Sequence, residues 1–323
     1  MAQVLDLPFP IMRYDITMPL LEGRVEIEGV RLQPTRITSM VFKDEPALRT
    51  GDFGLCDLNL GYLLPAIEAG WELVALPVFS KRKPAFQFIF CRTDADIASP
   101  KDLEGKRVGS RTYRTALTVW ARGLLQHRHE VDLPRLHWFI WGGELYPVHD
   151  QQTRVDKVAD PSKSPVDSLL DGELDAIITD ISDTKLFEQL ENDARVRRLF
   201  PNYADEDERL YRETGIYTPV HLMVMSRQLD RRYPDLAGKL YAAFEQAKAL
   251  AYDDILSDRG GFSLVYLRER LKEQRERWGD PFKYGLRANR STLDAFVDYN
   301  VEQGMVRSRL ADDQIFARGT LDT

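Results

Sequence analysis

Apolar positions recur along the chain with two periods, and each predicts a different element. Residues 106–110 form a short apolar run that breaks at Gly109, the pattern of a strand. Leu117, Trp120, Ala121 and Leu124 then recur at i, i+3, i+4 and i+7, the spacing of an amphipathic helix. Strands are likewise predicted over 11–17, 24–32, 51–59, 73–79, 86–92, 137–141 and 220–225. Helices are predicted around 39–50, over 61–69 and 233–252, within 262–278, and over 292–304. Residues 147–165, rich in Pro, Asp, Ser and Lys, are expected as loop. One plan occurs twice: a turn with Gly followed by an acid, an apolar strand, and polar residues at the strand's carboxyl end. It closes once at Asn59 and again over 169–180. The repeat predicts two α/β lobes presenting strand ends to a shared space, where open α/β sheets bind ligands.

Length and charge narrow the function. With 323 residues, 43% of them hydrophobic, the chain can bury a substantial core and fill two lobes. A net charge of −7 argues against a nucleic-acid surface, which needs a basic face. No apolar run is long enough to cross a membrane, and the amino terminus lacks the basic and continuous apolar regions of a secretory signal. A cytoplasmic protein with no membrane partner is expected. The sequence leaves open whether it forms a homo-oligomer. Cys56 and Cys91 lie in apolar strand-like runs without a second ligand at metal spacing, as buried free thiols would.

An acidic protein that binds an acidic ligand must concentrate positive charge locally. The turn at 110–115 does so: Ser110, Arg111, Thr112, Arg114 and Thr115 bring hydroxyls and guanidinium groups to a predicted helix start, whose free N–H groups and dipole favour an anion. Alternatively Ser110 or Thr112 caps the helix and both arginines are solvated. A second basic turn, Ser80-Lys-Arg-Lys-Pro84, is either a solvated loop or faces a carboxylate. Asp15, Asp57 and Asn59 stand at predicted strand ends, and Asp57 and Asn59 suit turns or caps equally well. Glu144 and Asp180 follow later strands, where either would serve a ligand or pair with an arginine. His127, His129, His137 and His149 have no spacing that forms a metal site, and none is expected.

Several motifs occur together in one order: Tyr14-Asp-Ile-Thr17 with Leu21-Glu-Gly-Arg24 and Gly29-Val30; Gly105-Lys-Arg-Val-Gly109; Val119-Trp-Ala-Arg-Gly123; and Gly215-Ile216 with Pro219-Val-His221. The tail Tyr284-Gly-Leu-Arg-Ala-Asn-Arg-Ser-Thr-Leu293 follows, and then Glu302-Gln-Gly304. Over nearly its whole length the chain thus resembles the 4,5-dihydroxyphthalate decarboxylase family. The resemblance implies a two-lobed α/β, type II periplasmic-binding-protein-like fold with a ligand cleft at the hinge and two crossings between lobes. The expected lobes are 1–108 with 216–323, and 109–215. It also implies a carboxy-lyase that takes a small aromatic carboxylate, converting 4,5-dihydroxyphthalate to protocatechuate and CO2 without an organic cofactor.

On that reading His221 is the expected proton donor, with a buried structural histidine as its alternative. Asp15 is the expected catalytic partner at the phenolic hydroxyls, which Asp57 and Asn59 would also bind. Arg82, Arg111 and Arg114 are the expected carboxylate clamp, and Ser110, Tyr113, Thr115, Glu144 and Asp180 complete the expected substrate contacts. The chain departs from the family pattern after Phe79, where Ala85-Phe86 stands in place of an Arg-His pair, and again across 110–115. A solute-binding protein for an aromatic or other small organic acid, or a biosynthetic enzyme on the same fold, are the competing expectations.

Overall fold

The run Pro219-Val-His-Leu-Met-Val-Met-Ser226 is almost continuously apolar, the signature of a strand covered on both faces, and every one of its residues is buried. In the computed structural model, which describes residues 4–37, 46–149, 153–179, 182–257, 259 and 261–323, this strand is the last of twelve among the described residues. In chain order they are β1 (Leu5–Ile11), β2 (Val30–Arg36), β3 (Leu55–Asn59), β4 (Leu73–Ala75), β5 (Lys81–Arg82), β6 (Ile89–Arg92), β7 (Arg107–Ser110), β8 (His137–Ile140), β9 (Arg154–Lys157), β10 (Ala176–Ile178), β11 (Val196–Arg198) and β12 (Pro219–Ser226).

The chain divides into two compact units. The first comprises Met1–Arg82, Pro219–Leu293 and Leu310–Thr323. Its main sheet has β12 between β3 and β4, all antiparallel, with β5 also on β12. Pro219 is tolerated because it opens the strand. β1 and β2 form a separate parallel pair in which Leu7, Phe9 and Ile11 point inward. The long helix Leu236–Leu256 covers this region, with Phe244 edge-on to Phe9 at 5.9 Å.

The second unit comprises Lys83–Thr218 and Asp294–Arg309. Its six-stranded sheet runs β11-β6-β10-β7-β8-β9, with β10, β7, β8 and β9 parallel to one another and β6 antiparallel to β10. The helix Ala116–His129 is buried without interruption from Ala116 to Leu125, so it packs on all sides rather than along one stripe. Gly123 belongs to this packing: a Cβ there would fall 2.0 Å from the Tyr299 ring, so only glycine admits the aromatic side chain.

Several expectations are corrected. The strand predicted over 11–17 is β1 at Leu5–Ile11, and Asp15–Thr17 is a 3-10 turn. Pro8 and Pro10 obscured it, since proline suits a strand only at an edge, which β1 is. The strand predicted over 24–32 begins at Val30, after Gly29 turns the chain at φ 73°. The loop expected over 147–165 contains β9 at the sheet's edge. The helix expected at 39–50 is seen only as Pro46–Thr50, its earlier part lying outside the described residues. Residues 83–108 fall in the second unit because β6 bonds to β10 and β11. The chain passes between the units at 82/83, 218/219, 293/294 and 309/310. Among the described residues no helix is long and apolar enough to cross a membrane.

Candidate functional site

The first unit gathers three polar side chains from separate segments around one carboxylate, that of Asp57. In the antiparallel register His221 on β12 faces Asn59 on β3, and Met223 faces Asp57. Asp57 and His221 therefore share a sheet face as diagonal neighbours, within reach of each other. His221 Nδ1 lies 3.1 Å from Asp57 Oδ2. Ser80, one residue before β5, donates to Asp57 Oδ1 at 2.5 Å. Tyr14, at the start of the turn after β1, donates its phenolic proton to Asp57 Oδ2 at 2.7 Å and stands 2.9 Å from His221 Nδ1.

This network determines the histidine tautomer. Tyr14 has one proton and gives it to Asp57, so both contacts of His221 Nδ1, to Tyr14 and to Asp57, require the proton on Nδ1. Burial raises the Tyr14 pKa and the Asp57 charge raises it further, so Tyr14 remains a phenol. Nε2 of His221 has no partner among the described residues, and the side chain keeps 8% exposure. Asp57 is fully buried and holds the ring from behind. The arrangement presents one imidazole nitrogen outward, fixed in direction, with a carboxylate ready to stabilise the imidazolium. No group of three or more His, Cys, Asp or Glu among the described residues is placed to hold a metal ion.

The other predicted residues are distributed as follows. Asp15 is exposed, and its carboxylate accepts the Ile16 N–H at 2.8 Å; its neighbour Tyr14 occupies the place beside His221. Asn59 caps the helix Leu60–Glu68 by accepting the Gly61 N–H. Arg82 is buried and donates to the Lys283 carbonyl and to Asn289 Oδ1, with its guanidinium over the Phe79 ring. In the second unit Ser110 is buried and donates to the Thr112 carbonyl, and Thr115 Oγ1 pairs with Thr118 Oγ1 at 2.6 Å. Arg114 is fully buried: Nε donates to Glu144 Oε2 at 3.0 Å and Nη2 to the carbonyls of Tyr146 and Pro147. Glu144 also accepts the Tyr113 N–H. Tyr113 is buried edge-on to Trp138, whereas Arg111 is exposed. Asp180 lies outside the described residues.

A 4,5-dihydroxyphthalate decarboxylase from Comamonas testosteroni is 28% identical to this chain over 99% of it and 98% of the relative. A 4,5-dihydroxyphthalate decarboxylase from Pseudomonas putida is 30% identical over 54% of this chain and 70% of the relative. The chain belongs to the 4,5-dihydroxyphthalate decarboxylase family. It is accordingly an enzyme of the decarboxylase class. No protein-family model matches it. Among solved structures, a periplasmic sulfonate-binding protein from Methylobacillus flagellatus superposes with a TM-score of 0.57 at 10% identity, over 98% of this chain and 92% of that one. The fold of this decarboxylase-family chain is thus that of the periplasmic binding proteins.

Three residues around the sites of this family member escaped the sequence reading. Tyr14 stands in the family motif beside the more conspicuous carboxylate of Asp15. Ser80 opens the basic turn 80–84, where the three cations mask it. Arg122 lies off the apolar stripe of its helix and reads as solvated, yet it is fully buried. The signal was present in the near-absence of charge from 115 to 125, since a helix that is apolar on every face draws its one charged residue inward.

Proposed function

We propose that this enzyme removes one carboxylate from a hydroxylated aromatic dicarboxylate, with 4,5-dihydroxyphthalate as substrate and protocatechuate and CO2 as products. The observation that carries the reading is His221, whose Nδ1 is held by Asp57 and Tyr14 while Nε2 has no protein partner among the described residues. The names of both relatives support the substrate.

Decarboxylation of an electron-rich ring needs a proton at the carbon that loses CO2. In the proposed step the His221 imidazolium gives its Nε2 proton to that carbon, forming a C–H bond with an electron pair from the ring. The hydroxyl para to the departing carboxylate feeds electrons in. The C–C bond then breaks, its pair restores aromaticity, and CO2 leaves. The reaction consumes one proton, which His221 regains from solvent. Asp57 positions the ring and stabilises the imidazolium; a general acid so placed contributes about 10²–10⁴-fold. Of the expected carboxylate clamp, Arg82 and Arg114 donate to groups of the protein itself.

The test mixes purified protein with 4,5-dihydroxyphthalate, with and without divalent metal, and follows protocatechuate and CO2. In D2O the product should carry one deuterium at the carbon that lost CO2. Absence of product together with a clear thermal stabilisation by another aromatic diacid would replace the substrate. Undiminished turnover by His221→Ala would remove His221 as the acid.

A further inference from the structure

Arg122 lies two turns into the helix Ala116–His129, and its side chain runs back toward the helix start. Nη1 donates to the Tyr113 carbonyl at 2.6 Å and Nε to Gln303 Oε1 at 2.9 Å. Its guanidinium carbon sits 3.5 Å from the centre of the Tyr113 ring and 5.3 Å from that of Trp138. Among the described residues Nη2 has no acceptor. Arg114 Nη1, the Tyr113 hydroxyl and Trp138 Nε1 are also buried without a hydrogen-bond partner among the described residues, and all four side chains are 0% exposed.

Charge points the same way as the hydrogen bonds. Arg114 is close enough for its charge to act on Arg122, and among the described residues Glu144 is the one carboxylate whose field reaches Arg122. Both Glu144 oxygens are already engaged, by Arg114 Nε and by the Tyr113 N–H. Burial pulls Arg122 down to about 10, which leaves it charged at neutral pH. A buried guanidinium without a counter-charge is costly, and the usual remedy is an anion that accepts the spare donors.

We propose that this cluster in the second unit holds a small monovalent anion of halide or short-carboxylate size, gripped by Arg122 Nη2 with Arg114, Tyr113 and Trp138 around it. Each unpartnered group is able to donate, so the occupant is an acceptor. The surplus is one positive charge, so the occupant carries one negative charge. Complete burial of the four side chains excludes an aromatic diacid, which separates this anion from the substrate. A water molecule would bring two donors of its own and leave the charge uncompensated.

The test has two arms. Thermal midpoints of the whole protein are measured in chloride, bromide and formate against gluconate at constant ionic strength, and crystals are soaked in bromide for anomalous diffraction. Beyond its dissociation constant the bound anion should raise the midpoint by about 2–4 °C per tenfold increase, and which salt does so distinguishes halide from carboxylate. Bromide should give an anomalous peak within hydrogen-bonding distance of Arg122 Nη2 if halides bind. Coincident midpoints in all four salts, with no anomalous peak, would overturn the proposal in favour of water. Arg122→Met should abolish the salt response. If that variant does not fold, Tyr113→Phe, which removes one donor and keeps the ring, should weaken the response several-fold, and an unchanged response would count against the cluster.

Discussion

In the first unit one carboxylate collects the donors, and in the second two guanidinium groups compete for one carboxylate. Asp57 accepts from Tyr14, Ser80 and His221, and no atom of that cluster is buried without a partner. Around Glu144 the balance is reversed: Arg114 is paired with it, Arg122 is not, and buried donors are left over. A cluster whose internal bonds are complete, with one nitrogen facing outward, is organised for proton transfer. A cluster that is closed to solvent and rich in spare donors is organised around charge. Equivalent substitutions in the two clusters should therefore fail in different ways.

The largest expected effect is on turnover. His221→Ala should lower kcat by about 10²–10⁴-fold, since it removes the proposed proton donor, while circular dichroism and the thermal midpoint stay close to the parent's. Asp57→Asn should follow at about 10²–10³-fold, because the amide would turn an N–H toward Nδ1 and favour the wrong tautomer. The matched change in the second unit, Glu144→Gln, leaves two buried guanidinium groups without a carboxylate and should cost about 3 kcal/mol of stability in urea unfolding. If Asp57→Asn chiefly unfolds the protein and Glu144→Gln chiefly slows it, the assignment of the two clusters is reversed.

Much of this contrast was legible in the sequence. His221 was legible through the family motif and Asp57 as a polar residue at the end of an apolar strand, where it suited a turn or cap equally well. Ser110, Tyr113 and Arg114 were legible as a polar turn before a helix. Their enclosure was not, because local pattern does not say whether a turn is covered. Asp15 was preferred to Tyr14 because a strand drawn over 11–17 put the carboxylate at its end; shifting that strand to Leu5–Ile11 puts the phenol beside His221 instead. The pairing of Arg82 with Asn289 joins positions 207 apart in the chain, and that of Arg122 with Gln303 positions 181 apart. No periodicity reports contacts at that separation.

A third carboxylate extends the comparison to pH. Asp207, in the helix Tyr203–Thr214 of the second unit, is buried and accepts the Phe86 backbone N–H, with Glu206 beside it. Burial pushes its pKa up to about 7 from an ordinary 3.8, and Glu206 adds to the rise. Below pH 4 both folded and unfolded chains hold this proton, and the group costs nothing. Between pH 4 and 7 the unfolded chain releases it first, so stability falls as pH rises through that window, by at most about 4 kcal/mol. Asp207→Asn should flatten this part of the urea-unfolding profile and make the protein more stable at pH 8. A slope unchanged by the substitution would assign the titration to another group.

The smallest effect expected is that of Tyr14→Phe. The phenol donates to Asp57, and its raised pKa keeps it protonated across the working range, so it contributes a neutral hydrogen bond to a carboxylate that Ser80 also holds. Losing one donor of that kind is worth roughly 1.5 kcal/mol, which corresponds to about a tenfold fall in kcat. The pH profile of kcat should keep its shape, because in the proposed step Tyr14 orients His221 without itself exchanging a proton. A fall as deep as that of His221→Ala, with the acid limb of the profile altered, would instead make Tyr14 the group that delivers the proton. His221 would then be the residue that positions it, since the 2.9 Å contact between them allows the roles to be exchanged.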